Sequence, residues 1–122
     1  PVLGLTDIEP GTLVAGVGAD NPSKHELAAD LMQASRVIVD SVAQASTMGD
    51  LHHAIEARAM KATDVHGELA ELVAGRVAGR TSGAERWVFD STGLAIQDLT
   101  AAEMIYDRAR AAGGVPQIPL GN

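Results

Sequence analysis

The sequence predicts an α/β domain in which a short parallel sheet of about three strands is flanked by helices. Three apolar runs, residues 12–18, 36–41 and 86–91, have the length and the branched side chains of buried strands. Helical spacing follows each run, and strands that alternate with helices form parallel sheets with right-handed crossovers. Apolar residues make up 46% of the chain but aromatic residues only 2%, which is typical of helices packed on such a sheet.

A loop, a strand and a helix are predicted for the first part of the chain. Residues 1–11 contain two prolines and two glycines, which favour turns over regular structure. Beyond the first strand, Pro22 suits the first turn of a helix that Asn21 or Ser23 could cap. Helical spacing continues from there to residue 34, so this helix is expected to fill the connection between the first two strands.

Helical spacing dominates the rest of the chain apart from the other two strands. Short helices are predicted over residues 42–46, 50–60 and 63–75. The third strand leads into a long helix from Leu94 to Ala112, whose apolar side chains are expected to face the core. Those side chains are Leu94, Ile96 or Leu99, Met104, Ile105 and Ala109. The tail from residue 113 is expected to be loop.

Charge and composition exclude several classes of function. The chain has 9 Lys and Arg against 16 Asp and Glu, so its surface repels phosphate backbones and anionic membranes, and neither nucleic acid nor a membrane is expected as a partner. There is no cysteine, which excludes disulfides and thiol catalysis. No apolar run approaches the ~18 residues of a membrane span and no secretory signal is visible, so a cytoplasmic location is expected.

Histidines are the candidate metal ligands, but their spacing does not predict a metal site. His52 and Glu56 stand at i and i+4, and no third ligand is apparent, so a solvated helix face and no bound metal are expected. His25 and His66 are isolated in the sequence and are expected to have capping or surface roles.

Polar residues follow each of the three predicted strands. Asp20 lies just beyond the first strand, Asp40 ends the second and Asp90 lies at the end of the third. Ser91, Thr92 and Gly93, here called the corner, follow Asp90. Because the carboxyl ends of parallel strands meet at one edge, these residues are expected to share a crevice of the kind in which open α/β sheets bind ligands. Asp20 would there act as a general base or hold a substrate ammonium. Helix capping by Asp20 or by the corner hydroxyls remains the alternative.

The segment GVGADN, residues 16–21, has part of the G-x-G-x-x-G pattern that binds dinucleotides. With that role for the segment, Asp40 would be the acid that binds the ribose. Asn21 replaces the third glycine, however, and Pro22 removes the next backbone amide. A tight turn at a strand end is therefore the favoured interpretation of the two glycines.

Four segments carry a resemblance to a known family. They are residues 17–27 (VGADNPSKHEL), 36–51 (RVIVDSVAQASTMGDL), 66–82 (HGELAELVAGRVAGRTS) and 88–102 (VFDSTGLAIQDLTAA). In this order and spacing they closely resemble the C-terminal part of the ornithine cyclodeaminase/mu-crystallin family, over nearly the whole chain. The resemblance implies a partial Rossmann-like three-layer fold, with residues 1–122 as the C-terminal portion of an NAD(P)-binding domain.

The resemblance also implies an activity and its residues. Family members bind NAD or NADP and transfer hydride at the α-carbon of an amino acid or at a ketimine, with or without cyclising deamination. Asp20 matches the aspartate of the family's G-[GA]-D motif, which is the acid/base catalyst. Ser91, Thr92 and Gly93 match the S-x-G corner that packs by the nicotinamide. In this alignment GVGADN is the strand of the catalytic aspartate and not the dinucleotide fingerprint.

The chain differs from the family in its extent. It covers a little over a third of a typical member and lacks the N-terminal substrate domain and the first half of the Rossmann domain. We therefore expect the chain to be inactive alone, with the missing N-terminal half of the same enzyme as its partner. A homo-oligomer is expected because the substrate domain dimerises in the family. The alternative is a stand-alone binding or self-associating module that has lost catalysis and associates through an unpaired sheet edge.

Overall fold

A parallel sheet forms the centre of the molecule. The computed structural model describes residues 1–114, 116 and 118. Within these residues the strands are β1 (Leu13–Gly16), β2 (Arg36–Val39), β3 (Gly67–Glu68) and β4 (Trp87–Asp90), all parallel, in the spatial order β1-β4-β2-β3. The predicted α/β class is confirmed. The sheet has one strand more than expected, because the two-residue β3 pairs with β2 inside a segment predicted as helix.

Helices connect the strands. They are α1 (Ala29–Gln33), α2 (Val42–Ala45), α3 (Gly49–Glu56), α4 (Leu69–Val73) and α5 (Ala95–Ala112). α2, α3 and α5 lie where helices are predicted. The opening loop contains one short 3₁₀ turn and one residue, Leu3, in a β-bridge. None of the described helices is both long and apolar enough to cross a membrane. Of the predicted C-terminal loop, residues 115, 117 and 119–122 lie outside the described residues.

β4 is the last strand in the chain but lies between β1 and β2. Its register places Asp90 beside both Gly16 and Val39, and the amide of Ser91 donates to the Gly16 carbonyl at 2.8 Å. The segments that leave these three strands therefore begin at one edge of the sheet, as parallel pairing requires. This edge is the one at which the polar residues were expected to meet.

The core lies between one face of the sheet and helices α1 and α3. Its buried cluster is Leu27, Leu31, Met32, Val37, Val39, Ala45, Leu51, Ala54, Met60 and Val88. The cluster is aliphatic apart from two methionines, as the composition predicts, and burying each larger side chain contributes about 1.5–3 kcal/mol. This packing holds α3 against the carboxyl end of β4, which places the start of α3 at the polar edge.

The helix predicted between β1 and β2 is shorter than expected. Residues 26–28 are extended, because Leu3 forms a parallel bridge with Leu27 and the amide of Ala28 donates to the Leu3 carbonyl at 2.8 Å. Asn21 accepts the amide of Ser23 in a local turn instead of capping a helix. α1 therefore begins only at Ala29, since pairing with the N-terminal residues replaces the helical hydrogen bonds.

The predicted inward face of α5 is wrong. None of its residues is buried, and Ile96, Leu99, Met104 and Ile105 are between 49% and 67% exposed. The helix itself forms as predicted, since its spacing, and the Gly113 that ends it, are local signals. Spacing marks which side chains share a face, but it does not say whether another element covers that face.

Candidate functional site

Asp40 organises the polar edge of the sheet. Its carboxylate accepts hydrogen bonds from the amides of Thr92 and Gly93, both at 2.8 Å, and from the Thr92 hydroxyl and the amide of Ser41, both at 2.9 Å. The Ser91 hydroxyl adds a longer bond at 3.5 Å. The side chain is buried, so these five donors compensate the cost of removing its charge from water. Both oxygens are thus engaged within the protein, and Asp40 shapes the corner instead of offering a free acid to a ribose.

The corner presents one open position. Ser91 and Thr92 are buried, whereas Gly93 is exposed, has φ +81° and has no atom within 4 Å of the position that a Cβ would take. Gln44 supports the corner from the other side, since its side-chain amide donates to the Gly93 carbonyl at 2.8 Å and lies 3.0 Å from the Thr92 hydroxyl oxygen. The corner is therefore held in place by Asp40 and Gln44, and it is accessible to other molecules at Gly93.

Neither hydroxyl of the corner caps the helix that follows. The residue at the N-cap of α5 is Leu94, which makes no side-chain capping bond, and the Thr92 hydroxyl donates to Asp40. The capping alternative for Ser91 and Thr92 is thus wrong. Both hydroxyls instead donate hydrogen bonds to Asp40, which follows the neighbouring strand β2.

Asp20 lies in the loop beyond β1 with its side chain 57% exposed. It forms an i,i+4 ion pair with Lys24, whose ammonium hydrogen-bonds the carboxylate and holds the pKa of Asp20 below its ordinary value of 3.8. Asp20 is therefore ionised at neutral pH. It caps no helix, because α1 begins nine residues later with Ala28 at its N-cap.

The turn between Gly16 and Asp20 is not a phosphate-binding turn. The amide of Gly18 donates to the Glu26 carboxylate at 2.9 Å, and a Cβ on Gly18 would overlap that carboxylate. A negatively charged side chain thus occupies the place where a dinucleotide fingerprint would receive an anion. The segment is thus a turn at the end of β1 that the Glu26 carboxylate fills.

Two carboxyl groups beside the corner are buried, which the sequence did not predict. Asp50 and Asp90 are both 0% exposed. Asp90 accepts the amide of Leu51 at 2.8 Å, and Asp50 accepts the amides of Glu26 and Leu27, each at 2.8 Å. Among the described residues, one oxygen of each carboxyl has no partner. Burial raises the pKa of Asp90 to about 6, and the negative charges of Asp50 and Asp40 act in the same direction.

His25 lies in the loop before α1 and stacks on His53 of α3, so it is not isolated. The rings of His25 and His53 stack with centroids 4.3 Å apart, and Nε2 of His53 donates to the Lys24 carbonyl at 2.9 Å. His52 lies 3.6 Å from Glu56 at i,i+4, as its spacing predicts. In the described part of the chain, no three or more potential ligands come together to hold a metal ion.

Replacing Asp40 with asparagine should lower the free energy of unfolding by about 1–3 kcal/mol, because the new NH₂ group would face at least two of the five donors that now bond to the carboxylate. Urea denaturation of both proteins measures the difference. Asp30→Asn is the matched control, since Asp30 is exposed and accepts only the amide of the next residue. Equal losses in the two variants would contradict the role given to Asp40.

Known dehydrogenases and reductases resemble this chain in sequence. The chain is 38% identical over 109 residues to an alanine dehydrogenase of Archaeoglobus fulgidus, which covers 89% of the chain and 34% of the relative. An iminosuccinate reductase of Paracoccus denitrificans is 34% identical over 98% of the chain and 37% of the relative. The chain therefore spans about a third of the length of these curated relatives.

Solved structures show the same fold. An archaeal alanine dehydrogenase dimer with bound NAD superposes with a TM-score of 0.87 at 35% identity, over 99% of this chain and 38% of that one. The Δ1-pyrroline-2-carboxylate reductase of Thermococcus litoralis, in complex with NADH and L-proline, gives 0.89 at 30% identity, over 97% and 37%. The ornithine cyclodeaminase/mu-crystallin family model matches residues 1–113, and the chain belongs to this family.

Proposed function

We propose that residues 1–122 are the C-terminal portion of a Rossmann-like NAD(P)-binding domain, in an enzyme that transfers hydride at the α-carbon of an amino acid or at an imine. The observation that carries the proposal is one sheet edge with an ionised, exposed Asp20 beyond β1 and an open Gly93 beyond the neighbouring β4. Relatives named as an alanine dehydrogenase and as an iminosuccinate reductase support an amino acid or imine as substrate.

Asp20 is the group that moves protons in this proposal. Interconversion of an amine and an imine requires protons to leave and return as the nicotinamide accepts or supplies the hydride. The ion pair with Lys24 keeps Asp20 in the carboxylate form, so Asp20 begins as a base and becomes an acid after accepting a proton. Its exposed side chain is accessible to a substrate from outside this chain.

The corner fits the flat ring of a nicotinamide better than it fits a phosphate. The absence of a side chain at Gly93 permits close approach of a planar group. The amides of Thr92 and Gly93 are already bound to Asp40, so they are not free to hold a pyrophosphate. In this proposal the pyrophosphate is held by residues outside this chain, and the chain alone is inactive.

The edge position of β1 supports the proposal that a partner pairs with this strand. It is an edge strand over the described residues, and Leu13 and Val17 are 60% and 67% exposed. Unpaired edges with apolar neighbours pair readily with another strand. The proposed occupant is the missing N-terminal half of the same enzyme, within a homo-oligomer.

Calorimetry with NADH and NADPH tests the proposal directly. We expect no saturable binding to the 122-residue chain at millimolar cofactor, with Asp20→Asn and Thr92→Ala behaving as the wild type does. Saturable binding that Thr92→Ala weakens would show that the half-domain binds cofactor by itself, and the claim that it is incomplete would be wrong.

A stand-alone, self-associating module is the second candidate function. The observation that favours it is an apolar groove of about 330 Å³ on the sheet face away from α1 and α3, lined by residues that include Leu13, Leu69, Leu72 and Phe89. Light scattering on the calorimetry samples separates the candidates. A stable dimer that binds no cofactor, together with a start codon directly before Pro1, would favour the module over the enzyme segment.

A further inference from the structure

The loop that carries Asp20 is attached to α3 through its distal part. We refer to residues 17–28 as the Asp20 loop. Asp50, in the first turn of α3 and 0% exposed, accepts the amides of Glu26 and Leu27 with one carboxylate oxygen, each at 2.8 Å. The early residues of a helix favour an acidic side chain, so an aspartate suits this position. These two bonds join segments more than twenty residues apart and fix the backbone at the end of the loop.

The Asp20 loop is also closed upon itself. The Glu26 carboxylate accepts the amide of Gly18 at 2.9 Å, so the position of Glu26 determines where the chain leaves β1. Between these two residues, Asp20 pairs with Lys24, and the Lys24 carbonyl accepts a bond from His53 of α3. A displacement of Glu26 would therefore move Gly18 and the turn that bears Asp20.

We propose that Asp50 is a positioning residue for Asp20, acting through the amides of Glu26 and Leu27 to hold the Asp20 loop at the carboxyl edge of the sheet. Asp50 itself makes no bond to Asp20, and its effect passes through the backbone of the loop and the Glu26 carboxylate. The inference rests on the proposed function for the catalytic role of Asp20. The attachment of the loop is a property of this chain and needs no cofactor.

Substitutions at Asp50 test the proposal with nuclear magnetic resonance. Asp50→Ala should raise the pKa of Asp20 towards its ordinary value, because the pairing with Lys24 depends on the held loop. It should also speed hydrogen exchange of the Gly18 amide about tenfold or more, because the Glu26 carboxylate that protects this amide would no longer be held in place. Asp50→Asn keeps an acceptor oxygen and should restore both readouts. Asp64→Ala is the control, since Asp64 holds only the nearby Lys61 amide.

A folded Asp50→Ala chain with unchanged Asp20 titration and unchanged Gly18 exchange would overturn the proposal. If Asp50→Ala does not fold, the wild-type chain decides. Scalar couplings across the hydrogen bonds should link the amide nitrogens of Glu26 and Leu27 to the Asp50 carboxyl carbon, and their absence would overturn the proposal as well. None of these readouts uses NADH. The calorimetry with NADH and NADPH tests the proposed function, so its failure is distinguishable from a failure of the positioning role of Asp50.

Discussion

Replacing Gly49 with alanine should lower the free energy of unfolding by about 2–5 kcal/mol. Gly49 has φ +87°, which costs an alanine about 1–2 kcal/mol. A Cβ at this position would also lie 2.7 Å from the Thr92 methyl carbon and 3.0 Å and 3.1 Å from the two Asp90 carboxylate oxygens. Relieving these contacts requires the start of α3 to move away from the corner. Urea denaturation of the two proteins measures the loss.

Gly75→Ala is the matched control for Gly49→Ala. Gly75 has φ +70°, and no atom lies within 4 Å of the position that its Cβ would take. The control should therefore show only the backbone cost of about 1–2 kcal/mol. An equal loss in the free energy of unfolding for both variants would mean that the close approach of α3 to the corner does not disfavour a side chain at residue 49. A crystal structure or amide shifts of the corner in Gly49→Ala would show where the strain is relieved.

The stability of the chain should fall as the pH rises from about 4 to 7, and Asp90→Asn should abolish that part of the dependence. Burial raises the pKa of Asp90 from 3.8 to about 6 in the folded chain. The native state thus holds a proton that the unfolded state has released, and this binding stabilises the fold only below the folded pKa. A shift of roughly two units corresponds to about 3 kcal/mol.

Urea denaturation at a series of pH values, on both proteins, tests the role of Asp90. Between about pH 4 and pH 7 the free energy of unfolding of the wild type should fall by about 3 kcal/mol relative to Asp90→Asn. Asparagine still offers an acceptor to the Leu51 amide, so the variant keeps the bond that anchors α3. Parallel curves for the two proteins would mean that Asp90 titrates normally despite its burial.

The strands and the long helix could be predicted because their signals are local. β2 and β4 are continuous apolar runs, and the helical spacing from Leu94 to Ala112 does not depend on what lies nearby. The meeting of Asp40 with the corner followed from parallel pairing alone. The early start predicted for α1 failed because Leu3 pairs with Leu27, an interaction that local propensity does not encode.

The site was only partly accessible to sequence reasoning. Asp20 and the corner are named by motif resemblance, and the structure places them beyond neighbouring strands. The burial of Asp50 and Asp90 had no comparable signal, because an aspartate at a helix start or at the end of a strand is usually exposed to solvent. The stack of His25 on His53 was missed for a related reason, since the two residues lie in different elements.

The sequence by itself determined the fold class, three of the four described strands, the long helix α5 and the family of this protein. Apolar periodicity and motif spacing depend on residues close together in the chain, so they can be recognised in a single amino-acid sequence. Only the tertiary structure decided that β4 lies between β1 and β2. It also decided that the Asp40 carboxylate bonds to the corner and that Asp50 bonds to the end of the Asp20 loop. These features depend on burial and on hydrogen bonds between residues distant in the chain, and both are set when the elements pack.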